Sequence, residues 1–426
     1  MMFGRDRVRS RYRAGGAWYF QDKADGVDPT LNLDFINNRY AVLDGGSIKQ
    51  KSLSDIATFS RASTATYFDS AGVMQSAAVN APRFDHDPVT LQPKGILIEE
   101  QRTNLLLRSS EFDNAYWTKQ FATVTPNIAI APDGTNSADL MTPGTSGLYR
   151  SVYTYTMSGN TLSIFAKANG FSWIAFINTA GNVGSAWFNV LNGTLGHVIP
   201  GYSASIKDVG NGWYRCSVTA DSGTFVHAQY LLADSDSVNY ATENGASGIY
   251  IWGAQLEAGE FPTSYIPTTT AAVTRAADSL SLPTSSWFNS SEGTFFSETN
   301  TVSSQNAAVF GAGTTTSDIL RVFRQSDGAP VSQVVVAGVH QATIGMGAIN
   351  WPQTSTPKIG MAYKQNDFSS TVNGNAATTD TSGNLPTVSS MTLGTSPGLP
   401  ALDGSVKKFK YYPVRVSDTE LQRITT

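Results

Sequence analysis

The sequence contains one cysteine, Cys216, few charged residues and no long apolar segment, and each scarcity excludes a class of protein. A single cysteine cannot form an intrachain disulfide, so a disulfide-stapled scaffold is excluded. No apolar run reaches the roughly 18 residues that a membrane-spanning helix requires, so we expect no membrane insertion. Charged residues make up 15% of the chain and the net charge is −4. This balance gives no general attraction to nucleic acid, and we expect no nucleic-acid partner.

Motifs of catalysis are also missing. There is no Gly-x-Ser-x-Gly elbow, no phosphate-binding loop and no dinucleotide fingerprint, and the four histidines are scattered without zinc spacing. Two carboxylate pairs, Glu99 with Glu100 and Asp85 with Asp87, are local in sequence. Glycosidic cleavage requires two carboxyl groups that face each other across a cleft. We therefore expect a protein that is not an enzyme.

Short alternating or wholly apolar runs, separated by turn residues, recur along the chain. The clearest predicted strands are 161–168, 172–178, 186–190, 213–219, 248–257, 293–298, 331–336 and 407–416. Turn pairs such as Asn192-Gly193 and Asn373-Gly374 tolerate the positive φ of tight hairpins. The pattern predicts an all-β protein with antiparallel β-sandwich domains. The one predicted helix is 417–423, where Ser417 can cap and Glu420 follows three residues later.

The N-terminal segment carries arginine at alternate positions, namely Arg5, Arg7, Arg9, Arg11 and Arg13. In an extended segment these side chains would share one side. Either the segment is a solvated terminus, or it is an attachment arm that binds an acidic groove on another component. Residues 1–15 contain no apolar core of signal-peptide length, so we expect no export by that route.

Two short segments share a similar residue pattern. Residues 59–63 and 273–277 both place Ser or Thr, Arg and Ala after an apolar residue, around Arg61 and Arg275. The shared pattern suggests that residues 31–67 contribute strands to the C-terminal sandwich, with the central module inserted between.

Several longer strings carry a family resemblance. They are TFSRASTATYF (58–68), PRFD (82–85), GILIEEQRTNL (95–105), DVGNGWYR (208–215), GIYIWGAQLE (248–257) and PTSYIPT (262–268). They resemble structural proteins of tailed phages and prophages, often labelled head-spike, head-fibre or tail-fibre proteins. The resemblance implies a homotrimer on the virion surface that is folded and assembled in the host cytoplasm. It also implies other virion proteins as partners, bound through the N-terminal arm.

The resemblance divides the chain into four parts: an attachment arm at 1–30, a β-rich connector at 31–100, and sandwiches at 101–270 and 271–426. Residues 101–270 are similar to the jelly-roll carbohydrate-binding modules found beside glycoside hydrolases. Residues 271–426 resemble concanavalin-like or laminin-G-like sandwiches. The expected fold is thus two antiparallel β-sandwich (jelly-roll) domains with an extended arm and a β-rich connector that completes the C-terminal sandwich under the insertion hypothesis.

Sugar binding requires flat aromatic faces together with amides and carboxylates that bond hydroxyl groups. The candidate residues are Trp173, Trp187, Asn189, His227, Gln229 and Tyr240. Asp234 and Asp236 supply further polar groups nearby in sequence. Aromatic residues on sandwich strands also fill cores, and we assign four others to core or edge packing: Trp117, Trp213, Tyr214 and Trp252.

A structural calcium is the only cofactor considered, because related jelly rolls carry one near a similar turn. Asp133, Asn136 and Asp139 offer hard oxygen ligands there. Their spacing differs from that of an EF-hand loop, and turn chemistry alone also explains the Pro-Asp-Gly-Thr string at 132–135.

Three functions follow from these features. The first is a non-enzymatic fibre or spike that contacts host surface polysaccharide during adsorption. The second is a purely architectural collar or capsid-decoration protein. The third is a glycan-degrading tailspike-type enzyme, which would need a cleft with convergent carboxylates.

Overall fold

The computed structural model describes residues 18–20, 22–147, 149–178, 184–242, 247–347, 351 and 355–426. The predicted attachment arm, with Arg5, Arg7, Arg9, Arg11 and Arg13, lies outside the described residues. Within the described part, strands dominate and the only α-helices are short, so the all-β prediction is confirmed. No helix among the described residues has the length and apolar character to cross a membrane.

The elements run as follows. The first part of the chain contains a 3-10 turn (Trp18–Phe20), β1 (Leu31–Asp34), β2 (Arg39–Asp44), β3 (Ser47–Lys51), α1 (Leu53–Ile56) and β4 (Thr58–Ser60). The middle contains β5 (Ala65–Phe68), β6 (Met74–Ala77), β7 (Phe84–His86), β8 (Pro93–Ile98), β9 (Arg102–Asn104), β10 (Thr118–Gln120), β11 (Ala122–Ala129), β12 (Ala138–Pro143), β13 (Ser151–Gly159), β14 (Thr161–Asn169), β15 (Trp173–Ile177), β16 (Gly184–Asn189), β17 (Thr194–Val198), β18 (Tyr202–Asp208), β19 (Tyr214–Ala220), β20 (Phe225–Ala233), β21 (Gly248–Glu257) and β22 (Val273–Arg275). The last part contains β23 (Ser279–Pro283), β24 (Glu292–Thr299), β25 (Ala307–Ala312), β26 (Ile319–Arg324), β27 (Pro330–Val336), β28 (Val339–Gly345), β29 (Lys358–Lys364), β30 (Asp367–Val372), β31 (Thr378–Asp380), β32 (Ser390–Leu393), β33 (Gly404–Tyr412) and α2 (Asp418–Thr425).

The chain forms two compact units. Unit 1 consists of the described part of Met1–Phe59 together with Ser279–Thr426, and unit 2 consists of Ser60–Asp278. The sequence predicts domain boundaries near residues 30, 100 and 270. In the structure the chain passes from unit 1 to unit 2 between residues 59 and 60, and returns to unit 1 between residues 278 and 279. In unit 1, Leu31 of β1 pairs with Tyr411 of β33, so strands from both ends of the chain share one sheet. This is the pairing that the insertion hypothesis requires.

Unit 1 is a sandwich of two antiparallel sheets. One sheet has the strand order β3-β2-β1-β33-β24-β29-β30-β31, and the other has the order β28-β27-β26-β25-β32-β23-β4. Aromatic rings fill the space between the two sheets. The ring centroid of Phe310 lies 4.8 Å from that of Phe295 and 5.5 Å from that of Phe409. These rings alternate with outward residues along their strands, which is why each strand buries one face in this core.

The C-terminal helix of unit 1 confirms the predicted helix and its cap. Ser417 accepts a hydrogen bond from the Glu420 backbone N–H, and α2 runs from Asp418 to Thr425, two residues beyond the predicted end. Leu421 on its inner face is completely buried. The preceding strand β33 ends at Tyr412 instead of at 416, because Pro413 has no N–H to continue the ladder.

Unit 2 is a second antiparallel sandwich, so the two predicted β-sandwiches are confirmed. We call β10-β13-β20-β15-β16-β17 the front sheet and β11-β12-β21-β14-β19-β18 the back sheet. Alternate residues of both sheets meet in one buried core, for example Phe176 and Tyr230 from the front and Ile164 from the back. The Tyr230 hydroxyl donates to the Ser163 carbonyl across this core at 3.1 Å.

The outer side of the back sheet is covered by a second apolar cluster. Phe165, Trp213 and Trp252 project there and pack with Met74 and Tyr265. The predicted connector is thus divided between the two units, since residues 60–100 belong to unit 2 and include the β5-β6 hairpin that supplies Met74. Trp117, Trp213 and Trp252 are all at most 4% exposed, which confirms their assignment to packing; Tyr214 is partly buried against the core.

A buried group of charges lies in unit 2. We call Arg61, Arg83, Glu99, Arg275 and Asp278 the arginine cluster. Arg61 Nη1 lies 3.0 Å from Asp278 Oδ1, Arg83 Nη1 lies 2.6 Å from Glu99 Oε2, and Arg275 Nη1 lies 3.0 Å from the same Glu99 oxygen. Arg83 also pairs with Asp278. Burial alone would raise the pKa of Glu99, but Arg275 and Arg83 hold this pKa well below its ordinary range.

Candidate functional site

The outer face of the front sheet collects most of the predicted sugar-binding residues. Ile174 and Phe176 of β15 point into the sandwich core, so Trp173 points outward. The register pairs Trp173 with Asn189, and Ala175 with Trp187. Because directly paired residues share a face, Trp187 and Asn189 also belong to the outer face.

Strand β20 adds the other two strand residues of the prediction. Its Ala228 and Tyr230 lie in the core, so His227 and Gln229 lie on the outer face. Five of the six predicted residues thus share one face, and Tyr240 lies in the following loop, residues 234–242. The two-residue period of strands decides this placement, and the sequence shows that period directly.

One end of this face contains a cavity of about 390 Å³, which we call the front cavity. Its lining residues are Gly170, Phe171, Ser172, Trp173, Asn189, Asp234 and Thr242. Two of the six predicted residues therefore line it. The others come from the turn before β15 and from both ends of the 234–242 loop; of these, only Asp234 was indicated by the sequence, as a nearby polar group.

Trp173 supplies the aromatic surface of the front cavity. Its ring is half-buried, and its indole N–H has no hydrogen-bond partner among the described residues. Gly196 of β17 approaches it closely: a Cβ there would lie 2.6 Å from Trp173 Cζ3 and 2.4 Å from Asp236 Oδ1. Only glycine fits at this position without displacing the ring or the carboxylate.

The polar groups of the cavity are held by local hydrogen bonds. Asn189 Oδ1 accepts from the backbone N–H groups of Leu191 and Asn192, at 3.0 and 3.3 Å. These bonds orient the amide and leave its Nδ2 free to donate. Asp234 accepts the Thr242 backbone N–H at 2.9 and 3.1 Å, which closes the 234–242 loop. The Thr242 hydroxyl also donates to Asp234 Oδ1 at 3.3 Å, so Oδ2 is the oxygen that keeps a lone pair for a ligand hydroxyl.

Trp187 and Gln229 do not reach the surface. Trp187 is only 3% exposed because the 234–242 loop covers its ring, and its Nε1 donates to the Val238 carbonyl at 2.8 Å. Gln229 is 4% exposed and donates to Ser151 Oγ at 2.9 Å. We therefore withdraw both as direct contacts. Trp187 instead anchors the loop that forms one wall of the front cavity.

His227 belongs to a separate aromatic patch. It pairs with Tyr155, whose ring centroid is 4.8 Å from that of His227 and whose side chain is 73% exposed. Tyr153 lies 6.2 Å from His227 on the same face. Sequence reasoning missed these tyrosines, although their alternation in SVYTYTMSG at 151–159 is the signal that could have found them. Tyr240 is 44% exposed and does not line the front cavity.

The three calcium candidates have separate structural roles. Asp133 Oδ1 accepts from the Thr135 backbone N–H and hydroxyl, and Asn136 donates to the Asn127 carbonyl. Asp139 points inward and accepts the backbone N–H groups of Phe112 and Asn127 at 2.8 and 2.9 Å. In the part of the chain that the structure describes, no group of three His, Cys, Asp or Glu residues is placed to hold a metal ion. Turn and backbone hydrogen bonding accounts for all three residues.

Comparison with known proteins finds similar solved structures but no matching protein family or curated protein. Among solved structures, the chain is similar to the CBM40 of an IT-sialidase from Ruminococcus gnavus bound to α2,3-sialyllactose, at 15% identity and a TM-score of 0.28, covering 32% of this chain and 84% of that one. It is also similar to a SAP-like pentraxin from Limulus polyphemus, at 11% identity and a TM-score of 0.26, covering 32% and 70%. An alginate lyase from Chlorella virus gives 15% identity and a TM-score of 0.26, covering 34% and 79%.

Proposed function

We propose that this protein is a non-enzymatic structural component of a tailed-phage or prophage particle, displayed on the virion surface, whose unit 2 binds host surface glycans. The virion part rests on the strings at 58–68, 95–105 and 248–257, which resemble head-spike and fibre proteins. The same resemblance supports assembly in the host cytoplasm, a homotrimer, and attachment through residues 1–30.

The front cavity is the observation that carries the glycan part. It combines an aromatic ring, an oriented amide and a carboxylate: Trp173, Asn189 and Asp234. A pyranose ring offers apolar C–H faces to an indole and hydroxyl groups to amides and carboxylates. The cavity volume falls within the range of roughly 300–1,000 Å³ that is usual for small-molecule sites.

Both strand positions of this site are fixed by the sandwich. Trp173 and Asn189 are directly paired across β15 and β16, whose alternate residues Ile174 and Phe188 are completely buried in the core. Such a scaffold presents its aromatic and amide groups with little ordering cost on binding, which favours affinity.

Binding of the full-length chain to immobilised bacterial surface polysaccharides tests the glycan proposal. We expect Trp173→Ala to weaken binding at least about tenfold, as loss of a central aromatic anchor does. Phe121→Ala, which removes an exposed ring outside the front cavity, is the matched control and is expected to leave binding unchanged.

The remaining outcomes distinguish the alternatives. Binding that survives Trp173→Ala would contradict the front cavity as the site. No binding to any polysaccharide would favour the architectural collar or decoration role, and release of new reducing ends would identify a glycan-degrading enzyme.

Mass spectrometry and antibody labelling of purified particles test virion membership, and light scattering of the purified chain tests the trimer.

A further inference from the structure

The outer face of the front sheet carries no fixed charge from its main strands. By sequence, β13, β15, β16, β17 and β20 contain no Lys, Arg, Asp or Glu. The back sheet differs, since it includes Lys167, Lys207 and Arg215. The remaining front-sheet strand, β10, contains Lys119, which pairs with the core residue Val152 and so lies on the inner face.

Loop 234–242 brings two carboxylates to this uncharged face. Asp234 lines the front cavity, and Asp236 lies beside the Trp173 ring at Gly196. Asp236 Oδ1 accepts the His197 backbone N–H at 2.7 Å. Among the described residues, neither carboxylate forms an ion pair, and the cavity lining contains no Lys or Arg. The charge at the cavity is therefore negative and uncompensated.

The one outer-face residue of β20 that could become cationic does not supply a countercharge. Burial lowers the pKa of His227 below its ordinary value of 6.5, so its imidazole is neutral at pH 7. It also packs against Tyr155 in the separate aromatic patch.

We infer that the front cavity selects neutral or amino-sugar-bearing glycans. It rejects glycans in which the sugar bound in the cavity is a sialic acid, a uronic acid or a phosphorylated sugar. The inference rests on the proposed glycan binding and names its ligand class. Asp234 and Asp236 can accept hydrogen bonds from sugar hydroxyls and can pair with a sugar ammonium group. An anionic sugar would instead place a like charge beside two solvent-exposed carboxylates that form no ion pair among the described residues, and the resulting repulsion is salt-dependent.

The test uses the full-length chain and ligands matched except in charge. The probes are purified neutral, amino-sugar-bearing and acidic bacterial polysaccharides, the acidic ones chosen to carry carboxylate and no phosphate, together with each acidic polysaccharide after chemical reduction of its carboxyl groups to alcohols. We expect neutral and amino-sugar-bearing probes to bind at least about tenfold tighter than acidic ones at low salt. Carboxyl reduction should restore binding to acidic polysaccharides, and rising salt should narrow the difference because it screens the repulsion.

Variants assign the effect to the two carboxylates. The double variant Asp234→Asn with Asp236→Asn keeps the side-chain shape and an acceptor for the Thr242 N–H, and should reduce the discrimination against acidic probes severalfold. Asp221→Asn makes the same kind of substitution and removes one negative charge from an exposed turn that does not line the cavity, and should leave the discrimination unchanged. Thermal melting establishes that each variant is folded.

The outcomes separate this inference from the proposed function. Binding of acidic probes as tight as that of their carboxyl-reduced forms would overturn the charge selection while leaving glycan binding intact. Equal discrimination in the double variant and the wild type would overturn the role of Asp234 and Asp236. No binding to any probe would overturn glycan binding and the selectivity with it.

Discussion

Arg61 and Asp278 form an ion pair of 3.0 Å between two completely buried side chains, and they stand near the two ends of unit 2. The pair joins the point where the chain enters this unit to the point where it leaves. Next to it, the Ala276 backbone N–H donates to Ser63 Oγ at 2.9 Å. The two segments of similar sequence therefore meet in space, because each contributes one arginine, Arg61 or Arg275, to the arginine cluster.

Removing the charge of Asp278 should strongly destabilise unit 2. Asp278→Asn leaves Arg61 and Arg83 short of a countercharge in a completely buried site, and loss of one partner of a buried pair costs about 3–5 kcal/mol. Urea denaturation measures this change in the free energy of unfolding. The control is Glu111→Gln, which breaks the partly exposed pair with Arg108 and should cost about 0–1 kcal/mol. Equal losses in the two variants would contradict a stabilising arginine cluster.

Asp139 should make stability fall as pH rises from about 4 to about 6. Burial raises the pKa of Asp139 to about 6 from its ordinary 3.8, although the N–H groups of Asn127 and Phe112 act in the opposite direction. Between these values the folded state binds the proton more tightly than the unfolded chain, so stability is lost as the proton leaves, by about 3 kcal/mol in total. Urea denaturation at several pH values compares the wild type with Asp139→Asn. We expect the variant to lack this part of the slope, and an unchanged slope would refute the assignment.

Trp187→Phe should loosen the loop that forms one wall of the front cavity. The change keeps an aromatic ring in place but removes the N–H that bonds to Val238, a loss worth about 1 kcal/mol. Hydrogen exchange should rise in residues 234–242, and glycan dissociation should accelerate. Trp213→Phe is the matched control, because its Nε1 donates to Ile130 on the other side of unit 2. The Trp213→Phe variant should lose similar stability without any change in glycan dissociation. Equal acceleration of glycan dissociation in both variants, or in Trp213→Phe alone, would contradict the role of Trp187.

Cys216 should resist alkylation until unit 2 unfolds. Its side chain is completely buried, so an alkylating reagent cannot reach the sulfur. Burial also raises the pKa of the thiol well above 9, so the reactive thiolate does not form at neutral pH. Mass spectrometry after iodoacetamide treatment should find no modification in the folded protein and complete modification in denaturant. Ser203→Cys places a thiol at an exposed position of β18 and should react at once. Fast reaction of Cys216 in the native protein would show local opening of β19.

Much of the fold could be predicted from local pattern. The strand predicted at 248–257 coincides with β21, because an interior strand covered on both faces has a continuous apolar run. The helix at the C-terminus was also predictable, since Ser417 and Glu420 form a local capping signal. Strand β13 was missed because its polar and aromatic residues alternate without an apolar run, although this same alternation creates the Tyr153 and Tyr155 patch.

The sequence alone determined the all-β class and the side-chain alternation that puts Trp187 and Asn189 on one face of their strand, because both follow from composition and a two-residue period. Only the tertiary structure decided which strands form the front sheet, which face is the outer one and which residues on it reach solvent. Trp173 and Trp187 have the same type and lie on the same face, but one lines a cavity and the other is buried beneath residues 234–242. Likewise, the pairing of Leu31 with Tyr411 and of Arg61 with Asp278 joins segments far apart in the chain. Such contacts depend on how distant segments pack together, and no local pattern contains that information.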